Sequence, residues 1–398
     1  IYFIKIQKIV LEKLLKIKMI SGGKMKKLLS VFLMFMTFAI AVSGVKLVKV
    51  KTLADAEGLN AKSESAYLVD FNSGTTIYSK NETERLPIAS MCKIMTLTLA
   101  FDEIENGNLS LDDTITVSSE AAGMGGSQIF LDANKEYEVR QLIKGIVVAS
   151  ANDASVAIAE EISGSEDAFV ARMNEKCAEL GMKDTHFSNC TGLPKAEQYS
   201  CAKDVAAMFA ALIKHKGYFE FSRIWMDEIQ HDGGRVTEIS NTNKLIRFYE
   251  GCDGGKTGYT SEAGHCLAAT AMRKGMRLIS VVIKSPDSKT RFNDVSTMFN
   301  YGFANFENKL IVDEKTPLDI EVEVSGGKQD FVKGIAQEPF YQFSKKNEKI
   351  ALNIDFVPDG HVKAPVEQGE KIGTLNIYRD NVLIKEINVL AYEKIEKQ

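Results

Sequence analysis

The spacing of the apolar residues changes at about Lys309, and this change divides the chain into two structurally different parts. Beyond it, apolar and polar residues alternate in runs that Gly, Asn, Asp and Pro separate. The runs cover 318–324, 349–357, 371–380 and 382–392. Side chains of a strand point alternately to its two faces, so such runs indicate strands. Residues 309–395 are therefore predicted to form a small, all-β, sandwich-like antiparallel domain.

Before Lys309 the chain mixes strand-like and helix-like segments. Residues 66–71 and 75–80 predict a β-hairpin, and residues 265–271 and 277–284 predict two strands near the other end. Helical spacing of apolar residues predicts helices over 88–104, 140–149, 154–162, 167–180 and 290–306. Strands at both ends indicate one antiparallel sheet whose terminal strands meet, with a helical lobe on it. Residues 61–307 are thus predicted to form one α/β (α+β) domain.

The N-terminal residues have the features of an export signal. A short basic segment starting at Met25 precedes an uncharged run over 28–42, which is too short for a membrane span but typical of a signal peptide. An Ala-x-Ala pattern at 54–56 predicts cleavage, and an uncleaved anchor is the alternative. We assign residues 25–56 to a signal peptide and the lysine-rich residues 1–24 to a non-native upstream segment. The protein is expected outside the cytoplasm.

The charge distribution argues against a nucleic-acid-binding protein. The net charge is −4, yet residues 1–51 hold eleven lysines and one acidic residue, so the rest of the chain is strongly acidic. A nucleic-acid-binding surface needs a surplus of basic residues. The five histidines are far apart and form no His-x-His or His-x-x-x-His pair, which argues against a zinc site. We expect no metal and no cofactor.

The six cysteines raise the question of disulfides, because export favours their formation. No Cys-x-x-Cys pair occurs, and the sequence does not choose among the pairings. Cys252 and Cys266 bracket what reads as a glycine-rich turn, so they could approach each other. Free, buried thiols are the preferred interpretation.

One segment resembles a phosphate-binding loop and is rejected as such. Residues 251–257 have one residue too few between the glycines, and strand-like sequence follows where a phosphate loop needs a helix. The alternative reading of this segment is a Lys-Thr-Gly motif at 256–258.

This motif is the last of three that occur in a fixed order. Ser-x-x-Lys and Ser-x-Asn recur elsewhere in the chain, but Lys-Thr-Gly occurs once. The first motif starts a predicted helix, and the second lies in a polar break between two predicted helices. Such a set is typical of serine enzymes that penicillin or peptide termini acylate. Its members are Ser90 and Lys93, Ser150 and Asn152, and Lys256, Thr257 and Gly258.

The chemistry of the first two motifs is coherent. The Ser90 hydroxyl is a weak nucleophile and needs a base. Residues three apart share a helix face, so the Lys93 amine can reach it. Burial and a second cation, Lys256, would lower the pKa of Lys93 so that its neutral form can accept a proton. We expect Ser150 to relay a proton from Lys93 to the leaving nitrogen, and Asn152 to orient the substrate amide.

The third motif suits the substrate's terminal carboxylate. Lys256 offers a charge and Thr257 a hydroxyl donor, while Gly258 lets the substrate backbone lie against a strand. The backbone N–H groups of Ser90 and Tyr259 are the candidates for an oxyanion hole.

The segments around the motifs resemble one family. The stretches LPIASMCKIMT (86–96), FSNCTGLPKAEQYSCAKDVA (187–206) and DGGKTGYTSEAGHCLAATA (253–271) are similar to those of the low-molecular-weight penicillin-binding proteins of the D-alanyl-D-alanine carboxypeptidase type, serine peptidase family S11. The resemblance covers nearly all of 61–395. It places Arg291 where the family has an arginine near the site, and it departs from the family's frequent His-x-Ser-Thr-Ala at 198–202.

The resemblance implies a penicillin-binding, β-lactamase-like catalytic domain followed by a small all-β domain. It implies an enzyme that removes the terminal D-alanine from peptidoglycan pentapeptide stems through an acyl-enzyme on Ser90, and that β-lactam antibiotics acylate at the same serine. The implied partners are stem peptides ending in D-Ala-D-Ala and β-lactams, in the cell envelope. No amphipathic membrane helix of the kind many members carry fits before Gln398, which leaves a soluble, signal-anchored or truncated form.

Three alternatives to this function stay open. A D,D-endopeptidase would use the same chemistry on cross-links. A class A-like β-lactamase is disfavoured, because no Glu-x-x-Leu-Asn string lies between Ser150 and Lys256. A catalytically idle wall-binding protein is disfavoured because all the catalytic residue types are present.

Overall fold

A computed structural model describes residues 59–398, so the predictions for 1–24 and 25–56 lie outside the described residues. Within 59–398, no helix has both the length and the apolar character needed to cross a membrane.

The helices and strands follow one another as a mixed α/β segment and then an all-β segment. The helices are α1 (Lys93–Glu105), α2 (Ser119–Ala122), α3 (Val139–Lys144), α4 (Asn152–Ser163), α5 (Glu166–Glu179), α6 (Ala202–Leu212), α7 (Tyr218–Ser222), α8 (Leu245–Phe248) and α9 (Ser288–Asn305). The strands of the first segment are β1 (Ser65–Asp70), β2 (Thr76–Lys80), β3 (Thr114–Thr116), β4 (Glu136–Glu138), β5 (Met226–Gln230), β6 (Val236–Ser240), β7 (Cys252–Thr260), β8 (Gly264–Arg273) and β9 (Met276–Ser285). The strands of the second segment are β10 (Phe306–Val312), β11 (Glu321–Ser325), β12 (Phe331–Ala336), β13 (Phe340–Lys345), β14 (Leu352–Pro358), β15 (Val362–Lys363), β16 (Lys371–Arg379) and β17 (Val382–Ala391).

The five-stranded sheet of the first segment is antiparallel, with the order β2-β1-β9-β8-β7. Strands from the two ends of the segment meet in its middle, as predicted, with Ser65 opposite Ile283 and Asp70 opposite Leu278. Helices cover both faces of β9. Because both faces are buried, the sequence of β9 is a nearly continuous apolar run rather than an alternating one. β7 lies at the free edge of the sheet, which leaves the Lys-Thr-Gly segment open to a ligand.

Each face of this sheet has its own core. On one side α9 packs on β8 and β9, and its Val295, Met298 and Phe299 are buried. On the other side α1 packs against α4 and α6, and it is buried from Lys93 to Phe101. A helix buried on every side is expected to be apolar all round. Its buried threonines are nevertheless paired, since the Thr98 hydroxyl donates to the carbonyl of Ile94 and the Thr96 hydroxyl to that of Cys190.

The predicted helices agree with the structure in position but not always in type. Those over 154–162, 167–180 and 290–306 are confirmed within two residues at each end. The predicted helix over 88–104 starts as a 3-10 turn before α1, and the one over 140–149 ends in a π-helical turn after α3. Both irregular turns directly adjoin a predicted site residue, as is common for such turns.

The C-terminal segment forms an all-β domain. Its six-stranded sheet has the order β14-β16-β17-β12-β11-β15, and β10 pairs with β13. The four alternating runs correspond to β11, β14, β16 and β17, while β10, β12, β13 and β15 were not predicted. The expectation of a wholly antiparallel sheet is wrong at one edge, because β11 and β15 pair in parallel. β12 escaped prediction because Gly334 interrupts its pattern; a Cβ there would lie 2.5 Å from Cγ1 of Val389.

The suggestion that the glycine-rich segment is a turn that brings Cys252 and Cys266 together is wrong, because the turn lies at 261–263. The segment after Cys252 is strand β7, and the register pairs Cys252 with Ala271 and Gly258 with Cys266. A six-residue offset along a strand separates the two cysteines by roughly 20 Å. All six cysteines are free and buried, which confirms the preferred interpretation.

Candidate active site

Ser90 lies in a tight turn at the N-terminal end of the nucleophile helix. The 3-10 turn Ala89–Cys92 leads directly into α1. Ala89, the residue before Ser90, has a φ of 47°, a left-handed conformation that side-chain-bearing residues rarely adopt. Such strain persists only where the surroundings over-determine the backbone, and it is concentrated at functional sites.

Two glycines hold this turn in place. A Cβ on Gly192 would lie 2.1 Å from the Ala89 carbonyl oxygen, and a Cβ on Gly258 would lie 2.6 Å from that of Ile88. Only glycine allows backbones to approach this closely. Ser90 is therefore wedged between a loop and strand β7, and Gly258 has a packing role besides the predicted contact with substrate.

Lys93 is fully buried and has three polar neighbours. Its Nζ lies 3.2 Å from Oγ of Ser90, 2.6 Å from Oδ1 of Asn152 and 2.5 Å from the carbonyl oxygen of Thr191. Burial, which disfavours the charged amine, lowers the pKa of Lys93 to about 8. A substantial neutral fraction is thus available near neutral pH.

The second motif occupies the junction between α3 and α4. The π-helical turn Gly145–Ala149 ends at Ser150, whose φ is 65°. α4 then begins at Asn152, whose backbone N–H donates to the carbonyl of Ser127 at 2.7 Å and whose Nδ2 donates to that of Gly125 at 2.6 Å. The left-handed residue turns the chain sharply, so that Ser150 and Asn152 both project from the break into the site.

Lys256 pairs with the second serine rather than with the first motif. It is buried on β7, and its Nζ lies 2.7 Å from Oγ of Ser150 and 2.9 Å from the carbonyl oxygen of Thr257. Burial holds the pKa of Lys256 well below its usual range, and the charges of Lys93 and Arg291 act in the same direction.

The remaining predicted residues lie along β7 and on α9. Thr257 is buried, while Tyr259 is largely exposed and stacks on His265 with ring centroids 4.4 Å apart. Arg291 reaches from α9 and donates to the carbonyls of Gly258 at 3.1 Å and Cys266 at 3.3 Å. Its guanidinium therefore braces β7 against β8 immediately behind the Lys-Thr-Gly segment.

The pairing of the two lysines differs from the expected one. Ser150 was expected to connect with Lys93, but its hydroxyl accepts a hydrogen bond from Lys256, and the amide of Asn152 is the group that contacts Lys93. The site thus contains two lysine–serine pairs, Lys93 with Ser90 and Lys256 with Ser150.

The loop that supplies the Thr191 carbonyl was not predicted as part of the site. Oδ1 of Asn189 accepts from the backbone N–H groups of Thr191 at 3.2 Å and Gly192 at 2.7 Å, a side-chain-stabilised turn typical of asparagine. The Asn-x-x-Gly spacing at 189–192 is the available sequence signal. It does not reveal which distant side chain the exposed carbonyl will bind.

Comparison with known proteins agrees with this geometry. The sequence pattern of the D-alanyl-D-alanine carboxypeptidases of peptidase family S11 matches residues 50–287, and that of the C-terminal domain of penicillin-binding protein 5 matches residues 306–397. The first match covers more than half of the chain. The chain belongs to peptidase family S11. It is accordingly a serine-type D-alanyl-D-alanine carboxypeptidase, a hydrolase with a penicillin-binding fold.

Individual relatives of this S11 enzyme share most of its length. The D-alanyl-D-alanine carboxypeptidase DacF of Bacillus subtilis is 39% identical over 337 residues, covering 84% of this chain and 86% of that protein. A peptidoglycan synthesis regulatory factor (PBP3) from Streptococcus pneumoniae superimposes with a TM-score of 0.72 at 28% identity, covering 85% of this chain and all of that one. Penicillin-binding protein 5 from Haemophilus influenzae gives 0.67 at 29% identity, with coverage of 85% and 98%.

Cys92 lies within the nucleophile motif but faces the core of this S11 enzyme. Its thiol donates to the carbonyl of Asn189 at 3.1 Å, and burial raises its pKa to about 12. A buried thiol with a raised pKa is a poor nucleophile, so Ser90 is the available nucleophile of this helix.

Proposed function

We propose that the enzyme removes the terminal D-alanine from peptidoglycan pentapeptide stems, with Ser90 as the nucleophile. Oγ of Ser90 attacks the carbonyl carbon of the penultimate D-alanine, and an ester bond forms. The carbon–nitrogen bond to the last residue breaks, and free D-alanine leaves. Water then attacks the ester and restores the serine. The observation that carries the proposal is the 3.2 Å contact between Ser90 Oγ and the buried Lys93 amine.

The neighbours of Lys93 match a neutral amine. A neutral amine has two N–H donors and one lone pair, whereas the ammonium has three donors and no acceptor. Asn152 and Thr191 each offer a carbonyl oxygen that can only accept, and Ser90 offers a hydroxyl that can donate. The ammonium form donates to all three oxygens, whereas in the neutral form two donated bonds direct the lone pair of Lys93 at the Ser90 hydroxyl, as a general base requires.

The second lysine–serine pair serves the leaving group. When the carbon–nitrogen bond breaks, the amine of D-alanine must gain a proton. The Ser150 hydroxyl can donate its own proton and regain one from Lys256, which lies 2.7 Å away. When water attacks the ester, Lys93 returns its proton to Oγ of Ser90, and the proton that the water loses passes through Ser150 to Lys256, so both lysines regain their starting states.

The terminal carboxylate of the substrate is proposed to bind at β7. Lys256 and Thr257 supply the charge and the hydroxyl, and Arg291 adds positive charge from behind the strand. A carboxylate would offset the mutual repulsion of these cations, so binding favours substrates that end in a free carboxyl group. The backbone N–H groups of Ser90 and Tyr259 are the proposed oxyanion donors, and Asn152 orients the substrate amide besides holding Lys93.

The proposal also covers the domain boundaries and the location of the protein. Residues 61–307 form the serine peptidase domain, and 309–395 form a separate sandwich-like domain. Residues 25–56 direct the protein out of the cytoplasm to the cell envelope, where its peptidoglycan substrate lies. D,D-endopeptidase cleavage of cross-links is the second candidate activity, because the same acyl-enzyme forms with a longer leaving group.

The experiment that tests the proposal is an intact-mass time course of the purified protein with excess penicillin, followed by peptide mapping. A persistent penicilloyl adduct on Ser90, together with D-alanine release from a short acyl-D-Ala-D-Ala peptide, is the expected result. Rapid penicillin consumption without a lasting adduct would instead indicate a β-lactamase. Neither adduct nor consumption would indicate an inactive wall-binding protein and refute Lys93 as a neutral base.

A further inference from the structure

Phe130 combines two unusual features. Its side chain is 58% exposed, and its φ is 61°. Among residues 59–398 it is the one aromatic residue with a positive φ. A bulky side chain in this conformation is a genuine outlier, and such strain is retained where it contributes to function.

The backbone on both sides of Phe130 is anchored so that the strain cannot relax. The N–H groups of Ile129 and Leu131 both donate to Oδ2 of Asp153 at 3.1 Å, and both side chains are buried. The Phe130 carbonyl accepts from the guanidinium of Arg235 at 2.8 Å. The apolar neighbours thus point inward, and the aromatic ring is forced outward.

The same segment forms a wall of the active site. The carbonyls of Gly125 and Ser127 accept hydrogen bonds from Asn152. Phe130 is three residues beyond Ser127, so the two lie at most about 10 Å apart. The exposed Phe130 ring is therefore carried by the same segment that supplies these two carbonyls to the site.

A polar cleft of about 600 Å³ lies near this segment, and Tyr137 is one of its lining residues. Arg235 bonds to both Phe130 and Asp132, and the backbone N–H of Asp132 donates to the hydroxyl of Tyr137 in the cleft. Oε1 of Gln141 is buried and accepts no hydrogen bond from the described residues. The lining combines hydroxyl and amide side chains with charged ones and one histidine: Thr114, Thr116, Asn134, Lys135, Glu136, Tyr137, Glu138, Gln141, Gln230, His231, Asp232.

These groups suit a carbohydrate. An exposed phenyl ring is stabilised when an apolar surface removes it from water. The C–H face of a sugar ring is such a surface. The hydroxyl groups at the edge of the sugar can pair with the exposed amides of the lining, Asn134 and Gln230.

We propose that Phe130 and the adjacent cleft form a secondary site for the glycan strand that carries the stem peptide. The inference rests on the proposed function, because it assigns this site to the polymeric form of the same substrate. Glycan binding raises the efficiency of D-alanine release from polymeric peptidoglycan relative to release from a free peptide.

Two measurements test this site. The first is binding of peptide-free glycan strands to the full-length protein, which needs no catalysis. The second is the ratio of kcat/KM on pentapeptide-rich peptidoglycan to that on a short acyl-D-Ala-D-Ala peptide. The variants are Phe130→Asn, since asparagine tolerates a positive φ, and Phe130→Tyr, which keeps the ring. Phe331→Ala is the matched control, because Phe331 is 53% exposed on β12 without a positive φ.

The expected result is that Phe130→Asn lowers glycan affinity and the kcat/KM ratio about tenfold, the size of one aromatic contact. Phe130→Tyr and Phe331→Ala should keep both values. Absence of glycan binding to the unaltered protein, or an unchanged ratio in Phe130→Asn, overturns the inference. An equal loss on polymer and peptide also overturns it, since Phe130 would then act on the Ser90 chemistry. A protein that binds glycan but releases no D-alanine refutes the proposed function alone.

Discussion

The Nζ atom of Lys256 lies 2.7 Å from Oγ of Ser150, although 106 residues separate the two in sequence. Lys93 meanwhile contacts Ser90, three residues before it. Each buried lysine thus contacts its own serine, and in the proposed mechanism one lysine activates the nucleophile and the other supplies the proton for the leaving group. This division allows the two proton transfers to occur at different points of the site without exchanging roles.

The acylation rate should depend on pH through Lys93. Its pKa is lowered to about 8 by burial, so about one tenth of it is neutral at pH 7. The neutral amine is the base, and the second-order rate constant for acylation by penicillin should therefore rise from pH 6 to 8 and level off above. Stopped-flow acylation measures this profile. A flat profile in a protein whose circular dichroism is unchanged would contradict the assignment.

Replacement of Lys93 by methionine should abolish the base while nearly preserving side-chain volume. We expect the acylation rate constant to fall about 10²- to 10⁴-fold, the usual contribution of a positioned base. Quantitative intact-mass spectrometry of the penicilloyl adduct measures the loss. Lys203→Met, at an exposed position on α6, is the control and should react like the parent protein. A Lys93→Met variant that acylates normally would mean that another group activates Ser90.

Replacement of Gly192 by alanine should displace the nucleophile turn. The new Cβ would lie 2.1 Å from the Ala89 carbonyl, at a φ of 82°, so the strained turn before Ser90 must move. We expect a loss of about 3 kcal/mol in the free energy of unfolding and slower acylation.

Gly181 provides the matched control for this substitution. It has a φ of 70° but open space around its missing Cβ, so Gly181→Ala should cost only about 1 kcal/mol of backbone strain and leave acylation unaffected. Urea denaturation and penicillin acylation measure both variants. Equal stability losses would show that the close contact with Ala89 does not matter.

The six cysteines should be unreactive in the folded protein. All are buried and free, and burial raises the pKa of Cys252 to about 12, which leaves almost no reactive thiolate. A thiol reagent should label none of them in native protein and all six after unfolding without reductant. Fewer than six labels after unfolding, with a matching mass deficit, would reveal a disulfide.

Secondary structure was predictable where one physical pattern dominates. The periodicity of the apolar residues predicts helices α4 and α5 and the alternating strands after Lys309. Strand β7 was only partly predicted, because Gly254, Gly255 and Gly258 weaken the strand pattern and suggest a turn. Gly255 and Gly258 lie against backbone oxygens and Gly254 lies against the Tyr218 ring, and the pattern of a single segment does not contain that information.

The sequence by itself determined the three motifs, their order and the one contact that helix geometry imposes, Ser90 with Lys93. The spacing of three residues makes this contact local. The tertiary structure alone decided that Lys256 meets Ser150 and that Lys93 meets the carbonyl of Thr191, 98 residues away. These pairs depend on how the loops pack on the sheet, and no local rule of spacing relates residues so far apart along the chain.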